Sequence, residues 1–219
     1  GDRVLGCVNG HFSARFCEAA KAHGIQVQTL EVPYWVGIPA NLVEEELRAD
    51  KSHRIKALLV LHNETSTGVM SNIAAIRQAM ERAGHPALLL VDVVSSLAAI
   101  DLRFDEWRVD VALTGPQKGL MLPPGMAILA VSPKALKANQ AAKCGRFFWD
   151  WAPVLECNSR GEFPYTPATA LLFGLKESLA MLNEEGLPNV FSRHARLAGA
   201  CRRAVLAMGL KLLVKNPDE

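Results

Sequence analysis

Apolar positions along the 219-residue chain switch repeatedly between the twofold spacing of a strand and the 3.6-residue spacing of a helix. Residues 3–8 read as a strand, and 12–23 as a helix that Gly24 stops from a C′ position. The alternation over 25–32 predicts a strand with one wet face. A charged helix follows at about 40–50, then a buried strand over 55–61. Ser71 is placed to cap a helix running to Ala83, and 87–92 is a short apolar strand closed by an aspartate. Residues 109–113 and 126–131 are further strand candidates with Gly-Pro punctuation between them. Beyond 133 the character changes. Thr166-Pro167 makes an N-cap and N1 pair for a long helix to Glu185, stopped by Gly186. A second amphipathic helix runs from about 188 to 208, and 210–214 starts another strand.

Strands alternating with helices predict an α/β fold of βαβ units around a mostly parallel central sheet, with helices on both faces. A boundary near 186–188 divides a partial large domain (1–187) from the beginning of a small C-terminal domain (188–219). There is no internal repeat or low-complexity tract. The turn expected at Gly1 and the run into Asn216-Pro-Asp-Glu219 do not resemble natural termini, so a piece of a longer protein is expected.

Composition narrows the function classes. Half the residues are hydrophobic, enough for a sizeable core, and 24 basic against 22 acidic side chains leave a net charge of +2. Nothing in that balance calls for nucleic acid or an anionic membrane, and no apolar run is long enough to span a bilayer. Nothing reads as a signal peptide. The five cysteines lack paired or metal-type spacing and read as reduced, mostly buried thiols of a cytoplasmic compartment.

In a parallel α/β sheet, ligands bind beyond the carboxyl ends of the strands. Three polar clusters fall at such ends: His62-Asn-Glu-Thr-Ser-Thr-Gly68, Asp92, and Thr114-Gly-Pro-Gln-Lys-Gly119. Asp92 alone reads as a cap for a following helix. Together with a lysine 26 residues on, it fits pyridoxal phosphate, whose aldehyde a lysine holds as a Schiff base and whose ring nitrogen an acid keeps protonated. Lys118 alone reads as a solvated loop lysine; buried beside a cofactor it becomes a nucleophile and then a proton shuttle. Thr65, Ser66 and Thr67 are turn residues or donors to a phenolate or phosphate oxygen. Phe12 is core, or a stacking surface for a flat ring. His62 reads as a hydrogen-bonded structural histidine rather than a metal ligand, and Trp149 with Trp151 as a buried or interface cluster.

At these residues the chain resembles class V, fold-type I pyridoxal-phosphate aminotransferases of the serine–glyoxylate and alanine–glyoxylate branch. The matching motifs are Asn9-Gly-His-Phe12, His62-Asn-Glu-Thr-Ser-Thr-Gly68, Leu90-Val-Asp-Val-Val-Ser-Ser-Leu97, Asp110-Val-Ala-Leu-Thr-Gly-Pro-Gln-Lys118 and Pro123-Pro-Gly125. Lys176-Glu-Ser-Leu179 on the long helix also matches, and Phe163-Pro-Tyr-Thr-Pro167 points to the bacterial serine–glyoxylate type.

The resemblance implies that Lys118 forms the Schiff base and that Asp92 pairs with the ring nitrogen. It also implies that Val94 and Phe12 cover the two ring faces, Thr65 binds the 3′-oxygen and Gln117 reaches the phosphate. Thr166 would touch the phosphate of a neighbouring subunit across a homodimer interface. The implied substrates are a small amino acid (serine or alanine) and a 2-oxo acid, glyoxylate, in a ping-pong transfer. A eukaryotic source would make a peroxisome an alternative to the cytoplasm. A Gly-rich phosphate segment is expected before residue 1, and a carboxylate-binding arginine after residue 219. Two rivals are another class V reaction, such as ureidoglycine–glyoxylate transamination, and a non-catalytic α/β module. A desulfurase-like activity lacks a mobile-loop cysteine.

Overall fold

The computed structural model describes residues 2–216. Gly1 and 217–219, read above as a turn and a continuing chain, lie outside them. The strands are β1 (Arg3–Val8), β2 (Gln26–Glu31), β3 (Ile55–Leu61), β4 (Asn63–Glu64), β5 (Val69–Met70), β6 (Leu88–Asp92), β7 (Val111–Thr114) and β8 (Ile128–Val131). The helices are α1 (His11–Ala22), α2 (Ala40–Ala49), α3 (Ile73–Arg82), α4 (Pro133–Ala141), α5 (Trp151–Asn158), α6 (Thr169–Glu185) and α7 (Leu187–Ala207).

Six strands form one sheet in the order β2-β1-β3-β6-β7-β8, while β4 and β5 form a separate two-stranded pair. All neighbours in the large sheet are parallel except β8, which runs against β7. The period-2 alternation of each central strand separates two apolar faces. Leu5, Leu58, Val60, Leu89 and Val91 pack with Val43, Leu47, Ile76 and Met80 of α2 and α3. Val4, Ala57 and Leu59 point the other way and meet Phe16 and Ala20 of α1. Both faces are thus covered, which is why β3 and β6 read as nearly continuous apolar runs. Helix α1 lies so close to β1 that a Cβ on Gly6 would fall 2.2 Å from Cys17 Sγ.

The amino ends of β6 and β7 are pinned by Asp110. Its carboxylate accepts from Arg77 Nη2 (3.0 Å), Leu89 N (2.8 Å) and Ser132 Oγ (3.0 Å), with Lys134 Nζ at 3.7 Å. Arg77 also donates to the Arg108 carbonyl. Asp110 and Arg77 are both buried, so removal of either would leave an uncompensated charge.

Several sequence expectations are corrected. Ser71 does not cap α3. Asn72 does, its side chain accepting from Ala75 N, while the Ser71 hydroxyl turns inward and accepts from Ile38 N. Thr166 is not the N-cap of α6: a turn closed by Thr169 N on Pro167 O intervenes, and Ala168 occupies the cap position. Residues 210–214 form no strand: Leu210 and Leu213 are exposed, and among the described residues no strand lies beside them to satisfy an extended backbone. Of the two readings of Trp149 and Trp151, the buried cluster fails: Phe147 is 80% and Trp149 76% exposed, Trp151 is half-buried, and Phe148 stacks on Tyr165. Only Cys7 and Cys17 among the five cysteines are buried; Cys144 and Cys201 are exposed. Among the described residues no helix is long and apolar enough to cross a membrane.

Candidate functional site

The carboxyl ends of β1, β3, β6 and β7 are consecutive in the sheet and point the same way, so the loops leaving them share one rim. Leu61, Asp92 and Leu113 stand in register across three strands. The expected convergence of the His62, Asp92 and Thr114 clusters is therefore what the sheet builds.

Among the described residues no helix directly follows Asp92 for it to cap; one of its oxygens closes a turn instead. Oδ1 accepts from Val94 N at 2.8 Å, while Oδ2 makes no hydrogen bond among the described residues. Burial pushes the Asp92 carboxyl above its ordinary value, the Val94 N–H opposes this, and the nearby charge of Glu64 adds to the rise. A desolvated carboxylate with a spare oxygen and an anionic neighbour is suited to a cation with an N–H. Val94 itself is half-buried beside it.

Lys118 occupies the turn that follows β7. It is exposed rather than buried, and its ammonium makes no hydrogen bond or ion pair among the described residues. The turn around it is tightly built. Met121 N donates to Lys118 O and Leu122 N to Pro116 O. A Cβ on Gly119 would lie 2.1 Å from Leu97 O, so this glycine is what lets the lysine turn press against the turn that follows Asp92. Ala98 and Met121, on either side of that contact, hold left-handed backbones at φ 60 and 59, a conformation costly for residues with a Cβ. From α6, the buried Ser178 hydroxyl donates to Leu120 O at 2.6 Å. The sequence marks Lys176-Glu-Ser-Leu179 as a motif without revealing this anchoring role.

Phe12 and Thr65 come from the next two strand ends. Phe12 is in the first turn of α1 with its side chain half exposed, and Thr65 is exposed between β4 and β5. They are linked through Glu64, which sequence reasoning passed over inside its own motif. Glu64 is fully buried and accepts from Phe12 N (3.3 Å), Ser13 N (2.8 Å), Ser66 N (3.0 Å) and Ser66 Oγ (2.7 Å). Burial alone would raise its carboxyl, but the hydrogen bonds from Ser66, Ser13 and Phe12 outweigh it and hold the group below its ordinary value. A carboxylate directly after a buried strand and before three hydroxyl residues is the signal that could have found it. Asn63, the residue before it, ties instead to the turn after Asp92: its Nδ2 donates to Ser95 Oγ at 2.9 Å, and that hydroxyl donates back to Asn63 O.

Gln117 is exposed, its Oε1 folded over Gly115, where a Cβ would sit 2.3 Å away. Thr166 is exposed in the segment before α6, and no hydrogen bond ties it to the rim among the described residues. The sheet brings together Phe12, Thr65, Asp92, Val94, Gln117 and Lys118, and leaves Thr166 apart.

His62 is 3% exposed, with its ring edge-on to Trp107 and its Nδ1 lacking a partner among the described residues. The structural role holds for its backbone, which donates to Asp92 O and accepts from Ser71 N; the expected ring hydrogen bond is not seen at Nδ1. Burial drives its imidazole down to about 4, with the charge of Asp101 pulling the other way.

Comparison with known proteins agrees with this geometry. The family described as "Aminotransferase class-V" matches residues 1–218. The chain is 49% identical over 218 residues to the L-aspartate–glyoxylate aminotransferase of Paracoccus denitrificans, covering 100% of this chain and 55% of that protein. It is also 49% identical over 223 residues to the serine–glyoxylate aminotransferase of Methylorubrum extorquens, covering 100% and 56%. Among solved structures, the alanine–glyoxylate aminotransferase of Nostoc sp. superposes with a TM-score of 0.87 at 30% identity, over 98% of this chain and 56% of that one. The chain spans about half the length of the curated relatives it matches.

Proposed function

Because the chain belongs to the class-V aminotransferase family, we propose that its parent protein transfers an amino group from a small amino acid to glyoxylate, using pyridoxal phosphate held at the rim of β1, β3, β6 and β7. The observation that carries the reading is the Asp92 carboxylate, desolvated and with one oxygen spare, one strand away from the uncommitted amine of Lys118. Relatives named for glyoxylate support the acceptor. Serine and alanine are the proposed donors, and the aspartate-named relative makes aspartate a third donor to compare.

The donor set fits the cofactor. Lys118 Nζ would hold its aldehyde carbon, Asp92 Oδ2 its ring nitrogen, and the Thr65 hydroxyl its phenolic oxygen. Phe12 and Val94 would cover the ring faces, while Gln117 and Thr166, the latter from a second copy in a homodimer, would contact the phosphate. Bound there, the cofactor supplies an electrophile for amines and a ring that accepts electron density from the substrate Cα. Asp92 keeps the positive charge on the ring nitrogen. Lys118 Nζ, as a free amine, would be the base that takes the proton from the substrate Cα and holds it for return. The Gly119–Leu97 contact fixes how far the lysine turn stands from Asp92. Residues 1–187 would hold the cofactor, and 188–219 would begin a second domain.

The test uses the full-length protein with pyridoxal phosphate, glyoxylate, and serine, alanine or aspartate in turn, following glycine formation. Lys118→Ala should abolish both turnover and the visible absorption of a lysine-linked cofactor. A colourless protein whose Lys118→Ala variant behaves as the wild type would sink the reading.

A further inference from the structure

We infer that Glu64 is a positioning residue that holds the stacking surface and the hydroxyl of the cofactor site as one rigid unit. This rests on the cofactor reading above. Helix α1 begins after Gly10 with no side chain of its own capping it. Its first free N–H groups are satisfied from another part of the chain. Glu64 takes those of Phe12 and Ser13, and Ser66 Oγ takes that of His11 at 3.0 Å. The Ser66 hydroxyl in turn donates to Glu64, so one carboxylate and one hydroxyl collect three helix-end donors. Gly10 makes this approach possible, since a Cβ there would lie 2.2 Å from Glu64 Cγ.

Two consequences follow from this arrangement. The positive end of α1, a natural anion site, already carries a carboxylate of the protein, so it is not available to a cofactor phosphate. And Thr65, lying between Glu64 and Ser66 in the chain, is locked to the backbone of Phe12. A shift of either would move both. The Glu64 charge also reaches Asp92, favouring a cation between them.

The variant Glu64→Gln keeps the shape but not the chemistry. Both carboxylate oxygens face only donors, so either orientation of the amide sets an N–H against an N–H. In the full-length protein, stripped of cofactor and titrated with pyridoxal phosphate, Glu64→Gln should bind about 10- to 100-fold more weakly. Ser66→Ala, at an exposed position that does not threaten folding, should weaken binding in the same direction but less. Amide hydrogen exchange at 11–13 should quicken in both cofactor-free variants. At saturating cofactor, the visible circular dichroism, which reads ring orientation rather than stability, should change in Glu64→Gln. Unchanged affinity, exchange and dichroism in both variants of a protein that binds cofactor overturn the role of Glu64 alone. A lowered melting temperature with unaltered dichroism also overturns it, by reducing Glu64 to a structural residue. A wild type that takes up no cofactor overturns the site reading and this inference together.

Discussion

Substituting His62 by glutamine should remove a definite part of the acid sensitivity of the fold. The imidazole is 3% exposed and burial holds it neutral down to about 4, against 6.5 when free. Its contribution is fully present above about pH 6.5, where neither state binds the proton. As pH falls the unfolded chain takes up a proton that the folded chain refuses, so stability is lost progressively towards pH 4. With those two values, linkage gives a loss of about 2 kcal/mol between pH 7 and pH 5, roughly a 20-fold change in the unfolding equilibrium. His62→Gln cannot titrate. The glutamine has its own packing and hydrogen-bonding cost, but that cost is nearly the same at both pH values and cancels in the difference. The assay is urea denaturation of cofactor-free wild type and variant at pH 7 and pH 5. The wild type should lose about 2 kcal/mol more than the variant over that interval. Equal losses would show that the ring is solvated or charged in the folded protein, and would refute the argument.

Two further outcomes bear on the site. Asp92→Ala should reduce transamination far more than Asp92→Glu, because only the second keeps a carboxylate for a ring nitrogen; equal residual rates would argue against a charge pair. Ser178→Ala breaks the 2.6 Å anchor from α6 to Leu120 O and leaves that buried carbonyl without its donor, which should cost about 1–3 kcal/mol of stability. It should also lower kcat more than it raises KM, since it acts on the loop that presents Lys118; steady-state kinetics with an unchanged kcat would remove the loop from the explanation.

Much of the site was legible in the sequence because parallel sheets place the ends of their strands on one edge. Asp92 closing an apolar run and Lys118 two residues past a Gly-Pro step needed only that rule. What escaped was long-range and polar. Glu64 caps a helix 52 residues earlier in the chain, and Ser178 reaches back 58 residues to Leu120; neither pairing leaves a local periodicity. The Ser71 and Thr166 caps were misplaced because several residues near a helix start can cap it, and tertiary contacts decide among them. Ser71 was claimed by Ile38, and Thr166 lies ahead of an extra turn. The strand expected at 210–214 failed for the opposite reason: apolar residues suited to a strand found no neighbouring edge.

The Asp110 network is one of two clamps on β7. Strand β7 begins immediately after a buried carboxylate bonded to α3, β6 and the residue before α4, and ends in the turn that carries Lys118. It is paired with β6 on one side and β8 on the other, and the turn at its far end is tied to α6 through Ser178 and Leu120. The backbone under Lys118 is therefore braced at both ends of the strand, and movement is left to the exposed side chain. A four-carbon stem on a braced turn gives the amine its reach without loosening the core.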